Sequence, residues 1–273
     1  IIFLLSLILT ASWYASFCIE YSVMFYVMFI TSIIVLRIVN QESGDVLKEK
    51  MAKLFFVTGI VTTFFDFLTT EILTVFVPLI IYIMIQKEEK RLGSVKDTLL
   101  FIIKMSFLWG IGYVSMWFTK WLLSSLILHI NAFDYVVENA MQRINGIYEL
   151  PAFKNIYWHV ILKNVFAIPL FYFIQRDFYQ IHVKIAVAII LIVLLLFIDW
   201  KEFKNKKHLF ILFLIGLTPY VRYCILVNHS YKHAMFTFRD QIITFMCLFY
   251  IIIDCFNYKL FNQLFRIHHN KMK

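Results

Sequence analysis

The chain has 273 residues, of which 62% are hydrophobic, 19% are aromatic and only 16% are charged, and its mean hydropathy is +0.78. This composition excludes an ordinary soluble globular domain and predicts an integral membrane protein. The net charge of +9 does not indicate nucleic-acid binding, because the cations lie in short clusters between apolar runs, as they do in the cytoplasmic loops of membrane proteins.

Apolar runs of nearly the roughly 20 residues that cross a bilayer predict transmembrane helices, because helices satisfy their own backbone hydrogen bonds in lipid. The predicted spans are 1–12 (partial), 21–38, 156–174, 183–199, 208–227 and 241–257. Together with the longer runs described below, they predict an all-α polytopic transmembrane helical bundle with roughly eight or nine crossings. We expect 1–273 to form a single integral membrane domain.

The basic clusters predict the orientation of this bundle. Four clusters are predicted to be cytoplasmic: Lys48, Lys50 and Lys53; Lys87, Lys90 and Arg91; Lys201, Lys204, Lys206 and Lys207; and Lys259, Arg266, Lys271 and Lys273. The C-terminus is therefore expected in the cytoplasm, and the bacterial plasma membrane is the predicted location. Because the sequence opens inside an apolar run, we also expect an N-terminally truncated fragment with further spans upstream.

The run 54–86 has basic residues at both ends and two acids, Asp66 and Glu71, within it. It is too long for one upright helix and too short for two complete crossings. It predicts a short broken hairpin whose turn lies between the two acids, on the face opposite the lysine clusters. A carboxylate in hydrocarbon is costly, so this pair indicates a polar cavity, a partner or an interface.

The long run 98–130 contains Trp109, Trp117 and Trp121, which are typical of membrane interfaces, and Lys120, which is able to reach water from there. The polar stretch 131–155 carries apolar residues at near-helical spacing and predicts an interfacial helix. Counting crossings from each end of the chain gives results that differ by one. One segment between 98 and 174 is therefore predicted to be re-entrant or doubled.

The segment NHSYKHAMFTFRD (228–240) follows a predicted span and combines His229, His233 and Arg239, with Arg222 just before it. A cationic, aromatic pocket near the membrane surface suits the phosphate or pyrophosphate of a lipid head group. A solvated loop with an interfacial aromatic belt is the alternative. The histidines are four residues apart, but no third ligand or HExxH motif accompanies them, so neither a metal nor another cofactor is predicted; a divalent cation is possible but not indicated.

Three segments carry a resemblance: FFDFLTTEILTVFVPLI, WGIGYVSMWFTKWLLSS and NHSYKHAMFTFRD. They resemble segments of an uncharacterised family of bacterial polytopic membrane proteins, over most of the chain. More distantly, the chain is similar to membrane-embedded C-type glycosyltransferases, which use polyprenyl-phosphate donors. That resemblance implies Asp66 as the catalytic base or acceptor-binding acid, and Arg239 with His229 or His233 as ligands of the donor phosphate. The external loop that usually carries this acid would precede Ile1.

The leading hypothesis is a membrane glycosyltransferase that uses a polyprenyl-linked sugar at the outer face. Asp66 or Glu71 would deprotonate the acceptor, while Arg239 and the histidines would stabilise the leaving phosphate and Arg222 and Lys120 would complete the substrate site. A transporter or flippase with a proton or cation site at the hairpin is the alternative. A third hypothesis is a non-catalytic assembly subunit, in which the acids pair with Lys120 or Lys163.

Overall fold

The computed structural model describes residues 1–66, 68–145, 156–167, 196–260 and 262–263. Within these ranges the chain forms helices and turns and no sheet, apart from one isolated bridge between Ile198 and Phe256. The predicted all-α class is confirmed for this part of the chain. Three predicted features lie partly or wholly outside the described residues. They are most of the span 183–199, the second half of the span 156–174, and the cations from Arg266 onward.

Thirteen α-helices and two 3₁₀ helices are described. The α-helices are α1 (Ile2–Leu9), α2 (Ile19–Gln41), α3 (Gly44–Phe65), α4 (Leu73–Glu88), α5 (Val95–Leu128), α6 (Ala132–Asn145), α7 (Ile156–Phe166), α8 (Trp200–Asn205), α9 (His208–Gly216), α10 (Thr218–Ile225), α11 (Val227–Lys232), α12 (Ala234–Thr237) and α13 (Ile242–Asp254). The 3₁₀ helices are Ser12–Phe17 and Phe238–Gln241.

By length and apolar composition, four helical segments of the described chain are able to cross a membrane: Tyr21–Gln41, Val95–Leu128, His208–Ile225 and Ala234–Asp254. The last two each join consecutive short helices. These segments support an integral membrane protein, and they coincide with predicted spans or long apolar runs. α5 is one continuous helix of 34 residues, so the extra crossing predicted between 98 and 174 does not arise from a break within it.

The predicted break between Asp66 and Glu71 is present. α3 ends at Phe65 and α4 begins at Leu73, and Leu68 has a left-handed backbone conformation with φ of 62°. The hydroxyls of Thr62 and Thr74 are 2.8 Å apart across the break, so the end of α3 meets the start of α4.

The other ends of these helices also meet. Leu47 near the start of α3 and Gln86 near the end of α4 line one cleft, and Arg91 donates to the carbonyl of Val39 at the end of α2 over 3.0 Å. α3 and α4 therefore run in opposite directions, as the hairpin prediction requires. The turn lies at the end of the bundle away from Lys48 and Arg91, which line that cleft.

Two glycines allow α3 and α5 to approach closely. A Cβ atom on Gly59 would lie 2.0 Å from the Trp109 carbonyl oxygen, and one on Gly112 would lie 2.1 Å from that of Phe56. The hydroxyl of Thr63 also donates to the Tyr113 carbonyl over 2.9 Å. Small residues permit such backbone contacts between membrane helices. The close approach of α5 to α3 places the aromatic side chains of α5 beside the α3–α4 turn.

Polar groups concentrate at two opposite ends of the bundle. At the basic end, defined by Lys48, Lys87, Lys206 and Asp254, Lys87 pairs with Asp254 and Lys206 donates to the Asp254 carbonyl over 2.7 Å. The site end contains the α3–α4 turn, the end of α10, and α11 with the segment that follows it. The predicted separation of the acidic turn from the lysine clusters is therefore observed.

Candidate functional site

Arg222 on α10 is the hub of the site end. Its Nε donates to Glu71 Oε1 over 2.6 Å and its Nη2 donates to Glu71 Oε2 over 2.9 Å. Nη2 also donates to the Leu68 carbonyl. Arg222 is 5% exposed, and a bidentate pair of this kind fixes both orientation and charge. It ties α10 to the α3–α4 turn and occupies both oxygens of Glu71.

Asp240 is a second carboxylate next to the same guanidinium. Its Oδ2 lies 3.3 Å from Arg222 Nε, and the residue is fully buried. Neither of its oxygens accepts a hydrogen bond from the described part of the chain. Two buried carboxylates thus share one arginine.

Asp66 stabilises the turn. Its carboxylate accepts from the backbone N–H of Leu68 over 2.8 Å and of Thr69 over 3.2 Å, and from the Tyr113 hydroxyl over 3.3 Å. Aspartate commonly caps its own turn in this way. These contacts hold Leu68 in its left-handed conformation and join the turn to α5.

Lys120 and Arg239 do not pair with the two hairpin acids in the described structure. Lys120 Nζ donates to the carbonyls of Thr63 and Phe64 over 2.7 and 2.8 Å, where a cation stabilises the C-terminus of α3. Arg239 donates to the Met235 carbonyl over 2.8 Å. Among the described residues Arg239 forms no ion pair with Asp66 or Glu71, and Glu71 pairs with Arg222 instead.

Lys163 also lies apart from the acids. Its Nζ is 3.7 Å from the centroid of the Tyr231 ring, which is a cation–π contact. The ion pairs with Lys120 or Lys163 that the assembly hypothesis predicts are thus not found in the described structure.

A cavity of about 330 Å³, here called the cationic cavity, lies beside this network. It is lined by Tyr21, Thr69, Asn139, Gln142, Arg143, Asn228, His229, Lys232, His233 and Phe236. Of the predicted substrate-binding residues, the structure places His229 and His233 in its wall. Arg222, Lys120 and Arg239 are not among the residues that line it.

The two histidines of the cavity are adjacent, with ring centroids 4.7 Å apart. His229 Nε2 is 2.6 Å from the Leu68 carbonyl; because a carbonyl only accepts, Nε2 carries the proton and Nδ1 is an acceptor. Burial, and then the charge of Arg222, lower the pKa of His229 to about 4. Burial and the nearby Lys232 also lower the pKa of His233.

Sequence reasoning missed Arg143, Asn139 and Gln142, which belong to α6. Asn228 connects this helix to the site, since its Nδ2 donates to the Gln142 carbonyl over 2.7 Å. The i, i+4 spacing of Asn139 and Arg143 was the available signal, because it places both on one helical face. In the described residues no group of three or more His, Cys, Asp or Glu side chains is arranged to hold a metal.

Comparisons with protein-family models, with curated proteins and with solved structures found no match. The chemistry of the site therefore rests on its own geometry.

Proposed function

We propose that this membrane protein binds the phosphate group of a lipid-linked substrate in the cationic cavity. The observation that carries the proposal is the composition of the wall: Arg143, Lys232 and two histidines line about 330 Å³, and among the described residues that line it none is acidic. Glu71, the buried acid of the turn, is held by Arg222. Cations and amide groups gathered in one wall favour a phosphate.

A lipid-linked substrate is favoured over a soluble one by the helix that carries Arg143. Three polar residues of α6, Asn139, Gln142 and Arg143, line the cationic cavity. The apolar residues Val137, Met141 and Ile144, at i, i+4 and i+7 on the opposite side of the same helix, are 68%, 41% and 36% exposed. An amphipathic helix of this kind lies in the membrane interface with its apolar residues in lipid. The head group would then enter the cavity while its hydrocarbon chain stays in the bilayer.

The reaction that we propose is glycosyl transfer from a polyprenyl phosphate. The acceptor hydroxyl oxygen attacks the anomeric carbon, the bond from that carbon to the phosphate oxygen breaks, and the phosphate leaves with the electron pair. Arg143 and Lys232 stabilise this leaving group. His233 takes the acceptor proton, because a histidine with a lowered pKa is neutral at pH 7.

This assignment changes the roles of the hairpin acids. Glu71 and Asp66 act as positioning residues, since Arg222 occupies the first and the turn amides occupy the second. In the same proposal the basic end faces the cytoplasm of a bacterial cell, the site end faces outward, and the complete bundle has roughly eight or nine crossings.

Binding of farnesyl phosphate to the protein in lipid nanodiscs tests the proposal. We expect farnesyl phosphate to bind, and farnesol and inorganic phosphate to bind at least about tenfold more weakly, because the site needs both the anion and the lipid. Equal binding of farnesol would contradict a phosphate site. Equal binding of inorganic phosphate would indicate a soluble anion as the ligand.

Transport is a second candidate, favoured by the sharing of Arg222 between Glu71 and Asp240. A buried carboxylate without a full countercharge is a typical proton site in transporters. Under this alternative the wild type takes up the substrate into proteoliposomes when a proton gradient is imposed, and Asp240→Asn does not. Absence of gradient-driven uptake by the wild type would contradict the transport alternative.

A further inference from the structure

A second cavity, here called the aromatic cavity, lies between α5 and α6 and measures about 320 Å³. It is lined by Trp117, Trp121, Ala132, Tyr135, Val136, Asn139, Ala140 and Arg143. Asn139 and Arg143 also line the cationic cavity. The two cavities are therefore neighbours on either side of these two residues.

The tryptophans belong to an aromatic series on one face of α5, formed by Trp109, Tyr113, Trp117 and Trp121 at intervals of four residues. Successive ring centroids lie 5.1, 6.2 and 4.8 Å apart. The series is anchored at its start, because Trp109 Nε1 donates to the Thr74 hydroxyl over 3.0 Å and Tyr113 donates to Asp66. Trp117 and Trp121 are thus placed relative to the site-end turn.

The opposite wall is fixed as well. The N–H of Ala132 at the start of α6 donates to the Ser125 hydroxyl over 3.0 Å, and near the end of α6 the Gln142 carbonyl accepts from Asn228. Asn228 Oδ1 is buried and accepts no hydrogen bond from a described residue, although Asn228 lines the cationic cavity. A buried acceptor without a donor is costly, and a ligand hydroxyl would satisfy it.

We propose that the aromatic cavity is a carbohydrate subsite that holds the sugar attached to the phosphate in the cationic cavity. This inference rests on the proposed function and names the part of the substrate beyond the phosphate. Sugar C–H groups carry partial positive charge and pack on the negative faces of aromatic rings such as Trp117 and Trp121. Sugar hydroxyls would reach the side chains of Asn139 and Arg143, and Asn228 Oδ1 at the phosphate side.

Asn139 and Arg143, which line both cavities, favour a sugar over a hydrocarbon chain as the occupant of the aromatic cavity. An isoprenoid in the aromatic cavity would cover Asn139 and Arg143 without offering them hydrogen bonds, which is unfavourable for polar groups. A sugar offers donors and acceptors to both. The arrangement orders the substrate: sugar in the aromatic cavity, phosphate in the cationic cavity, and Arg143 beside the bond between them.

The test compares two phosphodiesters of equal charge: methyl farnesyl phosphate, and farnesyl phosphates that carry glucose, mannose, galactose or N-acetylglucosamine. For the wild type in nanodiscs we expect at least one sugar diester to bind about tenfold more tightly than the methyl diester. Trp121→Leu and Trp117→Leu should remove this difference and leave binding of the methyl diester unchanged. Trp121→Phe, which keeps a ring, should retain part of it.

Trp158→Leu is the matched control, because Trp158 lies on α7 and is exposed outside both cavities. If no sugar in the panel improves on the methyl diester, the carbohydrate subsite is refuted while the proposed phosphate site stands. An equal loss of both ligands in Trp117→Leu and Trp121→Leu would also refute it, because the tryptophans would then act on the fold. Failure of every phosphodiester to bind would refute the proposed function itself.

Discussion

The two ends of the bundle use the same charged residue types differently. At the basic end, Lys53 and Glu49 pair one helical turn apart with their side chains 74% and 65% exposed. At the site end, Arg222 and its two carboxylates are nearly or fully buried. Exposed pairs contribute little to stability, whereas a buried charge requires its partner. Exposed pairs such as Lys53–Glu49 therefore add little to the fold, whereas the buried charges at the site end build a fixed polar structure beside a cavity.

Arg222→Gln should give the largest loss of stability. It leaves Glu71 and Asp240 buried without a cation, which costs about 3–5 kcal/mol for a broken buried pair. Thermal unfolding in detergent measures the effect, and Lys53→Gln is the control, with an expected change below about 1 kcal/mol. If the two variants unfold at the same temperature, the contrast between the ends is wrong.

The stability of the site end should depend on pH through His229. Its pKa is about 4 in the folded protein and 6.5 is the ordinary value, so the unfolded chain binds a proton first as the pH falls. This contribution is complete above pH 6.5 and is lost between pH 6.5 and 4, by up to about 3 kcal/mol. Melting temperatures from pH 7.5 to 4.5 should fall more steeply for the wild type than for His229→Gln.

His129→Gln provides the comparison for this pH series. His129 is exposed at the end of α5, so its replacement should leave the wild-type slope unchanged. A slope that His229→Gln does not reduce would show that another group controls the acid sensitivity.

Asp66→Asn should have a small effect. Asparagine keeps one acceptor oxygen, so it is able to accept from the N–H of Leu68 or of Thr69 but not from each on a separate oxygen, as the carboxylate does. Stability should therefore fall by only about 1 kcal/mol, and farnesyl phosphate should bind as in the wild type. Asp66→Ala, which removes those acceptors, should destabilise by about 1–2 kcal/mol. Complete loss of glycosyl transfer in Asp66→Asn, with normal folding and binding, would restore Asp66 as the catalytic acid or base.

The features that were predictable from the sequence are those with a local physical cause. Long apolar runs predicted helices, the two acids within the run 54–86 predicted a turn between Asp66 and Glu71, and the lysine clusters predicted that this turn lies at the opposite end from them. The segment that contains His229 and His233 was placed at the same end as the turn for the same reason. Each signal is contained in one continuous stretch of chain.

The partners of these residues were not predictable in this way. Arg222 and Arg239 lie on either side of His229 and His233 in the sequence. Which of the two arginines meets Glu71 depends on how α10 is rotated against the turn. Arg143 lines the cavity from α6, whose Gln142 carbonyl accepts a hydrogen bond from the distant Asn228. The sequence predicts a catalytic role for Asp66 because a carboxylate in an apolar run is costly in lipid. Its hydrogen bonds to the backbone N–H groups of the turn are visible only in the fold.

The most direct test of the account compares two charge-matched double variants for binding of methyl farnesyl phosphate in nanodiscs. Arg143→Gln with Lys232→Gln removes two cations from the cationic cavity, and Lys48→Gln with Lys53→Gln removes two from the basic end. We expect the first to weaken binding by at least about tenfold and the second to leave it unchanged. Equal binding by both double variants would contradict the assignment of the cationic cavity as the phosphate site.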